Sequence, residues 1–225
     1  MKSHFAGLLI AIMSCFLTVN LSQGDVSKNG GSENTNFRPV KLPYSLYIEI
    51  PKSWGVLGED GRTLLETNVE SVLDLSVFGN GKYKETGFQN LLMARVMSDA
   101  YYALISINIT RDQRTQKYLN SMSLDDVNKY GYKIKNGLDS TLRSAGAKYF
   151  GWVGIRKDKA YGYTCLIYSY KRSGKAGSII VVETIEIPLG DKTVSVTTSV
   201  REDQIEIFQN IFSRIKSSFK LGDKS

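Results

Sequence analysis

The sequence predicts an α+β fold, a central antiparallel sheet of about six to seven strands flanked by helices in an α-β-α sandwich. Three observations predict it. Four β-prone segments follow one another between residues 148 and 200, separated only by turn-length breaks. Two stretches, 124–144 and 202–219, carry apolar residues at helical spacing, and 44–50 opens the ordered region with strict alternation.

Each element has its own warrant. Residues 1–24 read as an export signal, with Lys2 in a short head and an apolar run over 5–19. The run is shorter than the roughly 18 apolar residues of a spanning helix. Ser22-Gln23-Gly24 places small residues before a cut between Gly24 and Asp25. A second processing route is written in Ile12-Met13-Ser14-Cys15, which resembles a bacterial lipobox and would make Cys15 a lipid-bearing N-terminus. Membrane attachment is expected only by that route or through an uncleaved signal. Residues 25–41, rich in Ser, Asn, Gly and Lys, read as a disordered tether. One domain is expected over 42–221, with a polar tail at 222–225.

Within the domain, Leu46, Ile48 and Ile50 share one strand face, which Pro51 stops. Leu65, Val69, Val72, Leu73 and Ser76 recur at three and four residues, predicting a helix over 63–77 ended by Gly79-Asn80-Gly81. Residues 91–97 and 101–109 predict a hairpin, and the polar stretch 111–122 a loop. Ser123-Leu124-Asp125-Asp126 is a helix entry: a hydroxyl cap with carboxylates in the first turn. Val127, Ile134, Leu138 and Leu142 continue the stripe over 124–144, and Gly146 stops it.

Strands follow at 148–155, 160–171, 178–187 and 192–200, most simply as an antiparallel meander. In the last, Thr193, Ser195, Thr197 and Ser199 make one polar face. Ile179 to Val182 is apolar on both sides, as expected of a strand covered on each face. Ile205, Phe208, Ile211, Phe212, Ile215 and Phe219 form the stripe of a closing helix over 202–219.

Composition restricts the chemistry. His4 is the only histidine, so a chain cut after Gly24 has none, which argues against histidine triads and imidazole metal sites. Cys165 would then be the only cysteine, with no intramolecular disulfide available and a mid-strand position suited to a buried inert thiol. Losing Lys2 leaves 28 Lys and Arg against 22 Asp and Glu, a net +6 that suits an anionic surface or acidic partner. The densest basic groups, Arg156, Lys157 and Lys159, then Lys171, Arg172 and Lys175, read as solvated turn residues. No nucleic-acid motif accompanies them, and no metal or cofactor is expected. The sequon at Asn108 lies inside a strand.

Carboxylate chemistry needs no histidine, so a carboxylate-based hydrolase stays open as an alternative. No linear spacing marks a catalytic pair, and Asp125, Asp126, Glu202 and Asp203 are explained by helix entry. Glu183, sharing a face with Ile179, Val181, Ile185 and Ile187, is the expected odd polar residue of the core, with Glu186 on the opposite face. Tyr161, Tyr163, Tyr168 and Tyr170, with Trp54 and Trp152, are the aromatic candidates for contact with a small ligand or anionic polymer, a further alternative.

Ile48-Glu49-Ile50-Pro51-Lys52-Ser53-Trp54, a strand ending in Pro-x-x-Trp, and the closing helix running into Ser217-Ser218-Phe219-Lys220 carry a resemblance. With the mid-chain helix and antiparallel strands in matching order, the chain resembles the PsbP-like superfamily, in its exported DcrB-like bacterial branch. The resemblance implies a central antiparallel sheet between helical layers, in a family whose members are usually without demonstrated catalysis. The resulting expectation is an exported, non-catalytic binding or accessory protein, periplasmic or extracellular, meeting a protein or envelope component. Its candidate contact residues are Glu183, Tyr161, Tyr163 and Trp54; no catalytic residue is expected.

Overall fold

A computed structural model describes residues 36–57, 63–65, 73–74 and 87–222. In chain order the described elements are β1 (Phe37–Leu42), β2 (Leu46–Pro51), β3 (Trp54–Leu57), β4 (Thr63–Leu65), β5 (Leu73–Asp74), β6 (Phe88–Val96) and β7 (Ala103–Arg111). Then come α1 (Gln116–Ser121), α2 (Leu124–Ser144), β8 (Tyr149–Ala160), β9 (Tyr163–Ser173), β10 (Ile179–Leu189), β11 (Lys192–Arg201) and α3 (Ile205–Ser218). The large sheet has eight strands in the order β4-β3-β6-β7-β11-β10-β9-β8. All of its pairings are antiparallel. A small sheet, β2-β1-β5, pairs β1 with β2 antiparallel and with β5 parallel. The fold class is the one the sequence predicts, with a wider sheet.

Period-two alternation divides the large sheet into two buried faces. On one, Ile105, Ile107 and Ile109 of β7, Val194 and Val196 of β11, and Ile185 and Ile187 of β10 form one core with the small sheet's Val40, Ile48 and Ile50. Phe208, Phe212 and Ile215 of α3 complete that core. On the other face Ile134, Leu138 and Leu142 of α2 pack on Tyr168, Tyr170, Ile180 and Val182.

Helix α2 occupies the span that its stripe predicts. Ser123 Oγ accepts from the Asp126 amide while Asp126 Oδ2 accepts from the Ser123 amide, so two otherwise orphaned N–H groups are satisfied reciprocally. Its contact with β8 is close because Gly131 lacks a Cβ, which would stand 2.5 Å from Ile155 Cγ2. The chain closes on itself beyond α3. The Tyr47 amide donates to the Lys220 carbonyl at 3.0 Å and the Lys220 amide donates back to Tyr47 at 2.8 Å.

Several expectations differ from what is found. Phe37–Leu42 is a paired strand, so the stretch expected as tether enters the fold before residue 42; residues 25–35 lie outside the described residues. Thr63–Leu65 and Leu73–Asp74 are strands rather than parts of a helix over 63–77, whose remainder lies outside the described residues. The sheet edges that recruit them are tertiary and leave no trace in local spacing. Gln116–Ser121 is helical within the expected loop, because Leu119 is fully buried and the Gln116 amide bonds β9 and β10 backbone. The closing helix begins as a 3-10 turn over Glu202–Gln204 and is α-helical from Ile205. Ile180 and Val182 are buried, but Ile179 is exposed and Val181 half-buried, so β10 starts with only one face covered.

Candidate functional site

Two places concentrate polar or exposed groups that simple core packing leaves unexplained. The first is buried beneath α2. Arg114, between β7 and α1, directs its guanidinium to Asp112 Oδ2 at 2.5 Å from Nε, to Glu186 Oε2 at 2.7 Å and to the Tyr130 hydroxyl at 2.6 Å. Tyr130 donates on to Glu186 at 3.3 Å, and Tyr168 donates to the other Glu186 oxygen at 3.2 Å. Thr193 of β11 donates to Asp112 at 2.8 Å. The network therefore ties the segment after β7 to α2, β9, β10 and β11 through one cation.

Its electrostatics follow from that cation. Burial alone would raise the Asp112 pKa, but the hydrogen bonds and charge of Arg114, with the Thr193 hydroxyl, hold it below the ordinary carboxylate range. Burial opposes the Arg114 charge too, yet Glu186, Tyr130 and Asp112 together keep the guanidinium protonated. Burial and the adjacent Glu186 push the Tyr130 and Tyr168 phenols well up, so both remain donors. Asp112, held ionised beside a fixed cation, is suited to cross-linking rather than proton transfer. A glycosidase-type acid must instead be able to hold its proton.

The residues that the sequence points to fall elsewhere. Glu183 is half-buried and paired with Lys216 of α3 at 2.7 Å, so the deeply buried carboxylate is Glu186, 2% exposed, and not Glu183. Tyr161 stands between β8 and β9 at φ 56°, with its ring edge-on to Phe219 at 5.0 Å. Burial, with Cys165 and Glu183 nearby, raises its pKa. Tyr163 also packs on the α3-side core. Trp54 is sealed in that core, 2% exposed, edge-on to Phe208 and Phe212 at 6.4 and 5.8 Å. Tyr161 and Glu183 are thus neighbours, whereas Trp54 is no contact residue.

Tyr168 and Tyr170 are buried under α2, and Trp152 stacks on Tyr168 at 6.0 Å. Cys165 is fully buried with its thiol pKa raised to about 11 by burial, a poor nucleophile. Arg172, expected as a solvated turn residue, is 5% exposed and bonds the Tyr102 hydroxyl at 3.0 Å. Lys171 pairs with Glu202. Asn108 is 1% exposed, closed to a glycosylating enzyme in the folded state. Gly24, Asp25 and Cys15 lie outside the described residues, as does the Lys175 side chain.

The second place is the outer strand, β8. Its pairing with β9 shifts register between Tyr149 and Gly151 and again between Trp152 and Gly154. The extra residues are Phe150 and Val153, 49% and 60% exposed. Meanwhile Tyr149, Trp152 and Ile155 pack towards α2. A Cβ at Gly151 or Gly154 would meet nothing within 4 Å, so the strand is open beside each projecting side chain. Exposed Arg156, Lys157, Asp158 and Lys159 continue the strand. Arg156 pairs with Asp158 at 3.4 Å, and Lys157 Nζ caps the carbonyls of Asn120 and Met122 at 3.3 and 2.5 Å.

Neither place stands out in the sequence. The signal for the edge is the recurrence of Tyr149, Trp152 and Ile155 at three residues with Gly151 and Gly154, which no regular strand allows. For the network the signal is only Glu186, on a β-prone strand opposite Glu183. Asp112 and Arg114 sit in a stretch that local pattern assigns to a loop.

No protein-family model matches this chain, and no curated protein matches it either. Among solved structures, it is similar to cyanobacterial PsbP (CyanoP) from Synechocystis sp. PCC 6803, with TM-score 0.49 and 12% identity over 88% of this chain and all of that one. It is similar to LpqN, involved in cell envelope biogenesis of Mycobacterium tuberculosis, with TM-score 0.42 and 11% identity over 87% of each chain. It is similar also to the Saccharomyces cerevisiae Ran-binding protein Mog1p, with TM-score 0.43 and 10% identity over 84% of this chain and 97% of that one. At these identities the similarities hand no function to this chain.

Proposed function

We propose that this is an exported, non-catalytic binding protein of the cell envelope, which acts by surface contact with a protein or envelope component. The observation that carries the reading is the division of labour between the two places. The concentrated set of buried charges around Arg114 is consumed in holding elements together, whereas β8 turns two large apolar side chains out of the ladder and into solvent. Bulges re-aim side chains, and doing so twice in one strand exposes apolar area that the isolated fold does not use.

Export is the other half of the proposal and rests on the pattern of residues 1–24, with cleavage between Gly24 and Asp25 or lipidation of Cys15. None of the described helices is long and apolar enough to cross a membrane.

The test joins both halves. Cells producing the full chain are fractionated, the mature N-terminus is fixed by intact mass, and a photo-crosslinking residue is placed at Phe150 or, as control, at Ile207 on α3. The expected result is a chain beginning at Asp25 or at a lipid-bearing Cys15, crosslinked to an envelope component from position 150 and not from 207. An intact N-terminus in the cytoplasmic fraction, or equal crosslinking from both positions, overturns the proposal.

A further inference from the structure

We infer that the β8 edge seats on an anionic lipid bilayer, with Phe150 and Val153 entering the headgroup boundary and the cations at its far end meeting lipid phosphates. This rests on the envelope reading above and names the component contacted. Phe150 and Val153 are the bulged residues of β8, both exposed, and the glycines beside them leave nothing to shield them. Tyr132, one residue past the point where α2 touches β8 through Gly131, is 67% exposed and holds Lys135 Nζ 5.9 Å from its ring. Projecting apolar groups flanked by cations are the pattern of an interfacial contact, in which apolar insertion and attraction to anionic headgroups add.

The choice of occupant follows from shape and charge. Strand addition needs a continuous row of free backbone groups, and the two bulges of β8 break that row. A fluid surface tolerates the irregular edge and supplies the opposite charge. The acids nearby are few and already engaged: Asp158 with Arg156, and on α2 Asp125 with Lys129, Asp126 with the Ser123 cap and Asp139 with Arg143.

The chain, purified in its processed form, is sedimented with vesicles of phosphatidylcholine alone and of equal parts phosphatidylcholine and phosphatidylglycerol. Binding to the mixed vesicles is expected, weakening as salt is raised, with little to the neutral ones. Phe150→Ser with Val153→Ser lowers the partition about tenfold or more, and Arg156→Gln with Lys159→Gln lowers it by a similar factor. Ile207→Ser leaves it unchanged.

Circular dichroism checks that each variant folds. Phe150→Trp gives an independent reading, since its emission should shift to the blue and be quenched by bromine-bearing lipid on mixed vesicles only. Absence of binding, equal binding to both vesicles, or an equal loss with Ile207→Ser overturns the inference. If position 150 still crosslinks to a protein in the envelope after such a result, the envelope-binding function stands and only the lipid is removed.

Discussion

The two faces of the large sheet are both buried and are built on opposite principles. Towards α3, β7 and β11 present Ile105, Ile107, Ile109, Val194 and Val196, which need nothing but apolar neighbours. Towards α2, the same strands present Ser106, Asn108, Thr193, Ser195, Thr197 and Ser199, all 7% exposed or less. A polar face on a strand is ordinarily read as facing water. Here it is inside, and its groups must find one another: Thr184 and Thr197 share a hydrogen bond at 3.1 Å, Thr193 reaches Asp112, and Arg114 gathers the carboxylates. The satisfaction is incomplete, because Asn108 Oδ1 and Ser199 Oγ are buried without a partner among the described residues. An apolar face fails gradually when trimmed; a polar one fails by stranding what remains.

That difference can be broken from either side. The largest loss is expected from Arg114→Met, which leaves Asp112 and Glu186 buried without their cation and should cost about 3–5 kcal/mol, read as a lowered urea midpoint. Ile107→Ala on the apolar face should cost about 2–5 kcal/mol through a cavity alone. Its signature is that it leaves the pH dependence of stability unaltered.

Thr193→Val is smaller, about 1–3 kcal/mol, and should be strongly non-additive with Arg114→Met because both act through Asp112.

Acid should discriminate the faces further. The folded pKa of Asp112 lies below its unfolded value, so its contribution is complete above about pH 4. It is lost as pH falls through the folded pKa. Asp112→Asn should remove that part of the acid dependence in urea titrations at successive pH, while Ile107→Ala should leave it. The smallest effect belongs to neither face: Asp125→Asn, breaking an exposed pair with Lys129, should change stability by less than about 0.5 kcal/mol.

What is legible in the sequence follows the range of the forces involved. Helix α2 is written in Ser123, Asp126 and a stripe of four aliphatic residues, all local, and its bounds come out where that pattern puts them. The strands from β6 to β11 announce themselves by β-prone runs and turns. Strands β1, β4 and β5 do not, since Arg38, Pro39 and Lys41 look like tether and Leu65, Val69, Val72 and Leu73 look like a helix until a sheet edge is supplied. Glu183 looks more deeply buried than Glu186 because its own strand face is apolar. The reverse holds because α3 offers Lys216 at the surface while Arg114 arrives from far along the chain to the opposite side. The edge signal, a three-residue recurrence among glycines, is present in the letters and is hidden by the assumption of a regular strand.

The paired amides of Tyr47 and Lys220 set a timetable. An early strand waits for a residue beyond α3, so a chain emerging from the ribosome keeps β2 without that partner until residue 220 has cleared the exit tunnel. During that interval Ile48 and Ile50 stay exposed to whatever holds nascent chains open. Assembly of this domain therefore waits for the residues that follow α3, and a truncation that stops before Phe219 should populate the chaperone-bound fraction rather than a smaller folded core.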